Sequence, residues 1–168
     1  MHRRDGGPDG PDQDHTPPVD RQSALGPDEL RGSVERARDE AEAQRTRRRL
    51  REQGIVPVEP DPKIAVMLDA EEVVVTIRRS VGLDRRQPAP SGRGPCGDLY
   101  ITNRRLFHLG RDQITYDLDR IREAMVVGDE LLLMLDDGHG VAITVPDPRR
   151  LRVEIGAARA MARADRSA

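Results

Sequence analysis

From Glu72 to Val145 apolar and polar residues alternate with period two in a succession of short runs. Val73, Val75 and Ile77 share one side, and Glu72, Thr76 and Arg78 the other, as on a half-buried strand. Leu99 and Ile101 then oppose Tyr100 and Thr102. Asn103 follows, a residue that tolerates turn conformations, and the apolar run from Leu106 to Leu109 ends at Gly110. Ile114, Tyr116 and Leu118 alternate with Gln113, Thr115 and Asp117. The run from Arg122 to Val127 meets a Gly128-Asp129 hairpin turn, Leu131 to Leu135 follows, and Asp136-Asp137-Gly138 turns again before Val141, Ile143 and Val145. Between the first two strands, from Ser80 to Gly97, the pattern predicts a loop rich in Pro, Gly and Arg. After Val145 the period changes. Asp147 can cap a helix and Pro148 can open it, with Leu151, Ile155, Ala158 and Ala162 on one face and Arg159 and Arg163 toward its end. Seven strands and one amphipathic helix are most economically buried as a strongly bent antiparallel sheet with the helix plugging its open end.

Upstream the character differs. Residues 1–26 are rich in Gly, Pro and Asp and have almost nothing to bury, so they read as a disordered tail. Residues 27–53 read as a charged helix, with Pro27 at its start, Asp28 and Glu29 in the first turn and the arginines of RTRRRLR near the other end. Leu30, Val34, Ala37 and Ala41 form its thin apolar stripe, which fails at Gln44 and Arg48. Such a helix could form a weak coiled coil or dock on a partner, but its polarity predicts a solvated element. Gly54 stops it, and Pro57, Pro60 and Pro62 make residues 54–68 a stiff linker with one helical turn from Ile64 to Leu68. The packed domain is expected over 69–165.

Composition narrows the functional classes. The formal net charge of −2 gives no global field toward nucleic acid or an anionic membrane. Aromatic residues make up 2% of the chain, so the core must be built from aliphatic side chains. Lysine occurs once, as Lys63, among 28 Lys plus Arg, a bias that a GC-rich bacterial genome explains. Cys96 is the only cysteine, so no disulfide forms within the chain. The first residues, MHRRDGGPDGPDQD, lack the apolar segment of a secretory signal, and the expected location is the cytoplasm, with attachment at the inner membrane face as an extension of that reading.

The order of elements, with LYITNRRLFHLG in its middle, resembles the PH-like superfamily, in particular the bacterial PH-like and GRAM domains. Leu99, Thr102, Asn103, Arg105 and Leu106 match their Leu-x-x-Thr-Asn-x-Arg-Leu sequence. The resemblance implies a β-rich α+β fold. It would be a PH-like open barrel of about seven antiparallel strands capped by a C-terminal helix, with a non-catalytic role in binding protein or lipid. The tryptophan usual in the last helix of eukaryotic PH domains is absent.

No residue set states a chemistry. Gly92 to Gly97 matches GxGxxG, but QPAPS precedes it, a strand follows it, and Pro95 lacks an amide, so it reads as a loop. Cys96 has no base placed beside it by spacing, and His2, His15, His108 and His139 show no metal-ligand spacing. Asp136 and Asp137 belong to turn chemistry. The run Arg45–Arg51 could meet phosphates, but Asp39, Glu40, Glu42 and Glu52 flank it, which argues against nucleic acid. The best candidate is Arg78, Arg79, Arg85, Arg86 and Arg93, opposed by Asp84 as the only acid from Arg78 to Gly97. That excess is where PH-like domains that bind phosphoinositides hold the headgroup; the plain alternative is a solvated loop. The chain therefore reads as a non-enzymatic module for a protein partner or an anionic membrane surface, with no cofactor or metal. The alternative is an adaptor whose Arg-rich helix recruits a partner or nucleic acid.

Overall fold

A computed structural model describes residues 26–86 and 96–165. The helix α1 (Pro27–Gln53) and a single turn, α2 (Pro62–Ala65), precede seven strands. These are β1 (Val74–Arg86), β2 (Cys96–Thr102), β3 (Arg105–Leu109), β4 (Gln113–Asp117), β5 (Ile121–Val127), β6 (Glu130–Leu135) and β7 (Gly140–Thr144), and α3 (Pro148–Asp165) closes the order. All neighbouring strands are antiparallel, in the order β4-β3-β2-β1-β7-β6-β5. The end strands β4 and β5 are not hydrogen-bonded to each other, so the sheet is open. The tail expected over residues 1–26 lies almost wholly outside the described residues.

β1 makes this topology. Its first part pairs with β2 and its last part with β7, and Gly82 is aligned with both Cys96 and Thr144. The loop expected from Ser80 to Gly97 is corrected accordingly: β1 continues to Arg86 and β2 begins at Cys96. The sequence pattern breaks because the register shifts between Arg78 and Val81, where Ser80 takes a left-handed φ of 54°. The extra residue reverses the phase of the alternation, and Val81 and Leu83 then resume the buried face.

Inside the bent sheet lie Leu99, Ile101, Leu106, Leu131, Leu133, Val141 and Ile143, with Leu151, Ile155 and Ala158 of α3 packed into them. A second, smaller core sits on the outer side of β1–β3, where Val74, Tyr100 and Phe107 are covered by Ile64 of α2. The linker is thus part of the packing.

α1 is not the solvated helix its composition predicts. It lies against α3 and buries Asp39, Ala43 and Thr46, spaced four and three residues apart on one face. The expected stripe is instead outside, with Leu30 55% and Val34 63% exposed. The reason is chemical. Asp39 accepts the backbone N–H groups of Arg149 (2.9 Å) and Arg150 (3.1 Å), which are free donors in the first turn of α3. Asp147 stands at the expected cap position, its carbonyl accepting the Leu151 N–H, but the carboxylate serving the helix end comes from α1. We expect Asp39→Ala to cost about 0.5–2 kcal/mol, the usual loss of an N-cap. Trypsin should also cut the Arg45–Arg51 run faster than in the exposed control Glu35→Ala; equal cleavage rates would refute the latch.

Candidate functional site

Strand alternation sends the first two candidate arginines, Arg78 and Arg79, to opposite faces of the sheet. Arg78 turns toward α3, where it donates Nη2 to Glu154 at 2.5 Å and Nη1 to the Thr76 hydroxyl at 2.8 Å, with the Asp147 carboxylate at 3.5 Å. Only 15% of the Arg78 side chain and 6% of Glu154's is exposed. Burial pushes the Asp147 carboxyl up, against the pull of Arg78 and Arg150, and repulsion from Glu154 and Asp39 adds to the rise. Asp147 and Arg78 line a cavity of about 570 Å³ whose other walls include Glu35, Arg38 and Glu42 of α1.

Arg79 turns to the other face. Its Nη2 meets Asp61 at 2.6 Å, and its Nη1 meets Asp98 at 2.6 Å and the Tyr100 hydroxyl at 3.0 Å. Tyr100 in turn donates to Asp61 at 2.7 Å. The Tyr100 hydrogen bond, then Arg79, holds the Asp61 carboxyl below the usual carboxylate range, and the two carboxylates hold the Arg79 guanidinium firmly charged. Arg85 reaches across the open side of the barrel and donates Nε to the Tyr116 hydroxyl of β4 at 3.1 Å. Arg86 ends β1 opposite Gly140. Arg93 and residues 92–95 of the GxGxxG match lie outside the described residues. The five arginines therefore do not share one loop. Arg78, Arg79 and Arg85 stand on a strand, the first two bound to carboxylates that sequence separation hides: Asp61, Asp98, Asp147 and Glu154.

The residues that carry the PH-like resemblance have structural work. Leu99 and Leu106 are fully buried. Thr102 accepts the backbone N–H of Arg105 at 2.7 Å and donates to Glu72 at 2.7 Å. Asn103 accepts the Val73 N–H at 3.0 Å and donates to Asp165 at 3.2 Å, tying the β2–β3 turn to the start of β1 and the end of α3. Arg105 grips Glu72, whose side chain is wholly buried, and reaches Asp69 at 3.0 Å.

The nucleophile candidates do not converge. Cys96 is exposed, and strand alternation puts it on the outer face of β2. His108 pairs in register with Leu99 on the inner face, is fully buried, and donates Nε2–H to the Val81 carbonyl at 2.9 Å. His139 lies in the exposed β6–β7 turn beside Asp137. Asp136 and Asp137 both pair with Arg120, which fixes that turn.

The fold is an open sheet of seven antiparallel strands closed by a C-terminal helix, the architecture expected from the sequence. No family model and no curated protein sequence matches the chain. Solved structures that resemble part of it include the following two. The Vps36 N-terminal PH domain shares 17% identity over 59% of this chain and 86% of its own, with a TM-score of 0.46. The C-terminal domain of an unknown protein from Leishmania infantum shares 12% identity over 49% of this chain and 76% of its own, with a TM-score of 0.37. No helix among the described residues is long and apolar enough to cross a membrane.

Proposed function

We propose that this chain is a non-enzymatic, cytoplasmic interaction module whose ligand is a protein. The observation that supports a protein over an anionic headgroup is the pairing of Arg78 and Arg79 with carboxylates of the same chain. A phosphate arriving at Arg78 must displace Glu154 from a largely buried ion pair and leave that carboxylate with Arg150 alone, which opposes binding. Cys96 and His108, on opposite faces, give no nucleophile and base for an enzyme. The Arg-rich run of α1 is likewise engaged in part, Arg45 with Glu42 and Arg48 with Glu52, which weighs against nucleic acid.

Attachment to an anionic membrane is the second reading, favoured by one observation: β1 ends on Arg85 and Arg86 and leads directly into the segment that holds Arg93. Each basic group near an anionic surface contributes about 1 kcal/mol, so this cluster could give weak, salt-sensitive binding. Sedimentation with vesicles separates the two. We expect the protein to stay in solution with neutral and anionic vesicles alike at physiological salt, and to retain a protein from an extract of its native cells. Sedimentation with anionic vesicles alone, lost in Arg85→Ser/Arg86→Ser/Arg93→Ser with the melting temperature unchanged, would establish the membrane instead.

A further inference from the structure

The sheet has two apolar outer faces, and only one of them has a cover among the described residues. On β1–β3, Tyr100 and Phe107 point outward and α2 lays Ile64 over them, so that all three are buried. On β5–β7 the inward positions are Leu131, Leu133, Val141 and Ile143, which leaves Met125, Val127, Leu132, Met134 and Ala142 outward by alternation. Met125 stands opposite Leu132, and Leu132 opposite Ala142, so these residues form one continuous patch. No described helix is packed along it. Val127 is 56% exposed, Met125, Leu132 and Met134 are half-buried, and Ala142 is buried between its neighbours as the floor of the patch. Two of the chain's five methionines are placed here, where unbranched thioethers can adapt to a partner's shape. A hollow of about 360 Å³ lined by Gly82, Cys96, Thr144, Val145 and Pro146 continues the face toward β1.

The border of the patch is acidic. Glu123 flanks it on β5, Asp129 and Glu130 at the β5–β6 turn, and Asp84 on β1. Among the described residues the cation carried by this border is Arg122 at the β5 bulge, so carboxylates are in excess there. A strand added to the free edge of β5 would touch Met125 and Val127 but not Leu132 or Ala142, one and two strands further in. A helix laid across the face covers all of them.

We infer that the outer face of β5–β7 is a docking surface for a basic amphipathic helix of a partner protein. Its apolar stripe covers Met125, Leu132 and Met134, and its flanking Lys or Arg side chains meet the carboxylate border. This rests on the reading of the chain as a protein-binding module, and the test keeps the two apart. The probes are two fluorescein-labelled helical peptides with the same leucine stripe, one flanked by lysines and one by glutamates, titrated into the full chain by anisotropy. The lysine peptide binds, the glutamate peptide does not, and hydrogen exchange slows along β5–β7. Glu123→Lys/Asp129→Lys, both exposed positions that leave folding intact, weakens the lysine peptide roughly tenfold or more and admits the glutamate peptide. Absence of lysine-peptide binding, equal affinities in wild type and double variant, or protection on α1 or β1–β3 overturns the surface. Capture from native extract with wild type and Met125→Ser then separates the readings. Equal retention of the same protein by both overturns this surface and keeps the module, whereas lysine-peptide binding on β5–β7 by a wild type that retains nothing supports the surface and counts against the module.

Discussion

Leu133→Asp should abolish the folded state. Leu133 is at the middle of β6, fully buried, with Ala124 and Val141 on the neighbouring strands. A carboxylate there has no described partner and no water, so it costs several kcal/mol whether it stays ionised or takes up a proton. Domains of this size hold only about 5–15 kcal/mol in total. The matched control is Val66→Asp, because Val66 is 86% exposed and its replacement should shift stability by no more than about 0.5 kcal/mol. Urea melts followed by circular dichroism would rank the two. A cooperative transition near the wild-type midpoint for Leu133→Asp would mean that β6 does not face the core.

Arg105→Ala should cost about 3–5 kcal/mol at neutral pH, because it leaves the buried Glu72 carboxylate without its cation. In the wild type, burial pushes the Glu72 carboxyl up, but Arg105, the Asp69 N–H and the Thr102 hydroxyl together pull it down further, so its net position is below the usual carboxylate range. A carboxyl depressed in the folded state adds stability above its unfolded pKa, and that stability disappears as pH falls through the folded value. Removing Arg105 leaves burial dominant and reverses the sign. In the variant the ionised carboxylate opposes folding at pH 7, and protonation on acidification toward pH ~4 relieves the strain. The stability gap between the two proteins should therefore narrow as pH falls. A gap independent of pH would assign the contribution of Arg105 to its stacking over Phe107, 4.9 Å from the ring centroid, and not to its charge.

The comparison of pattern with structure is instructive element by element. β6 and β7 were legible because nothing interrupts their period of two: Leu131, Leu133 and Leu135 point inward without a break. α3 was legible for the same reason at helical period, from Leu151 to Ala162. The far half of β1 was not, since a single inserted residue at Ser80 reverses the phase and the next residues, Arg85 and Arg86, look like loop. The docking of α1 was hidden more deeply. Its buried face is led by an aspartate, and an acid on a helix reads as solvent-facing unless its donors are known; here they are two backbone amides 110 and 111 residues away. The partners of Arg78 and Arg79 were hidden for a related reason. A local excess of charge is visible in sequence, whereas Glu154, 76 residues from Arg78, and Asp61, 18 residues from Arg79, become partners only through the fold. The outer patch of Met125, Leu132 and Met134 was readable as alternation, but nothing in a strand's own sequence says which of its faces the rest of the chain will cover.

The reach of the Asp39 carboxylate has a consequence for how the chain is put together. α1 is among the first described segments to be synthesised, and the amides it caps are among the last. Closing so long a loop has an entropic cost that only the finished sheet can offset, since the sheet is what brings α3 to its place. Until then α1 has a weak apolar face and little reason to be helical in isolation, and the first turn of α3 has free donors. The contact between Asp39 and the start of α3 therefore depends on the sheet from Val74 to Thr144 that carries α3 to its place.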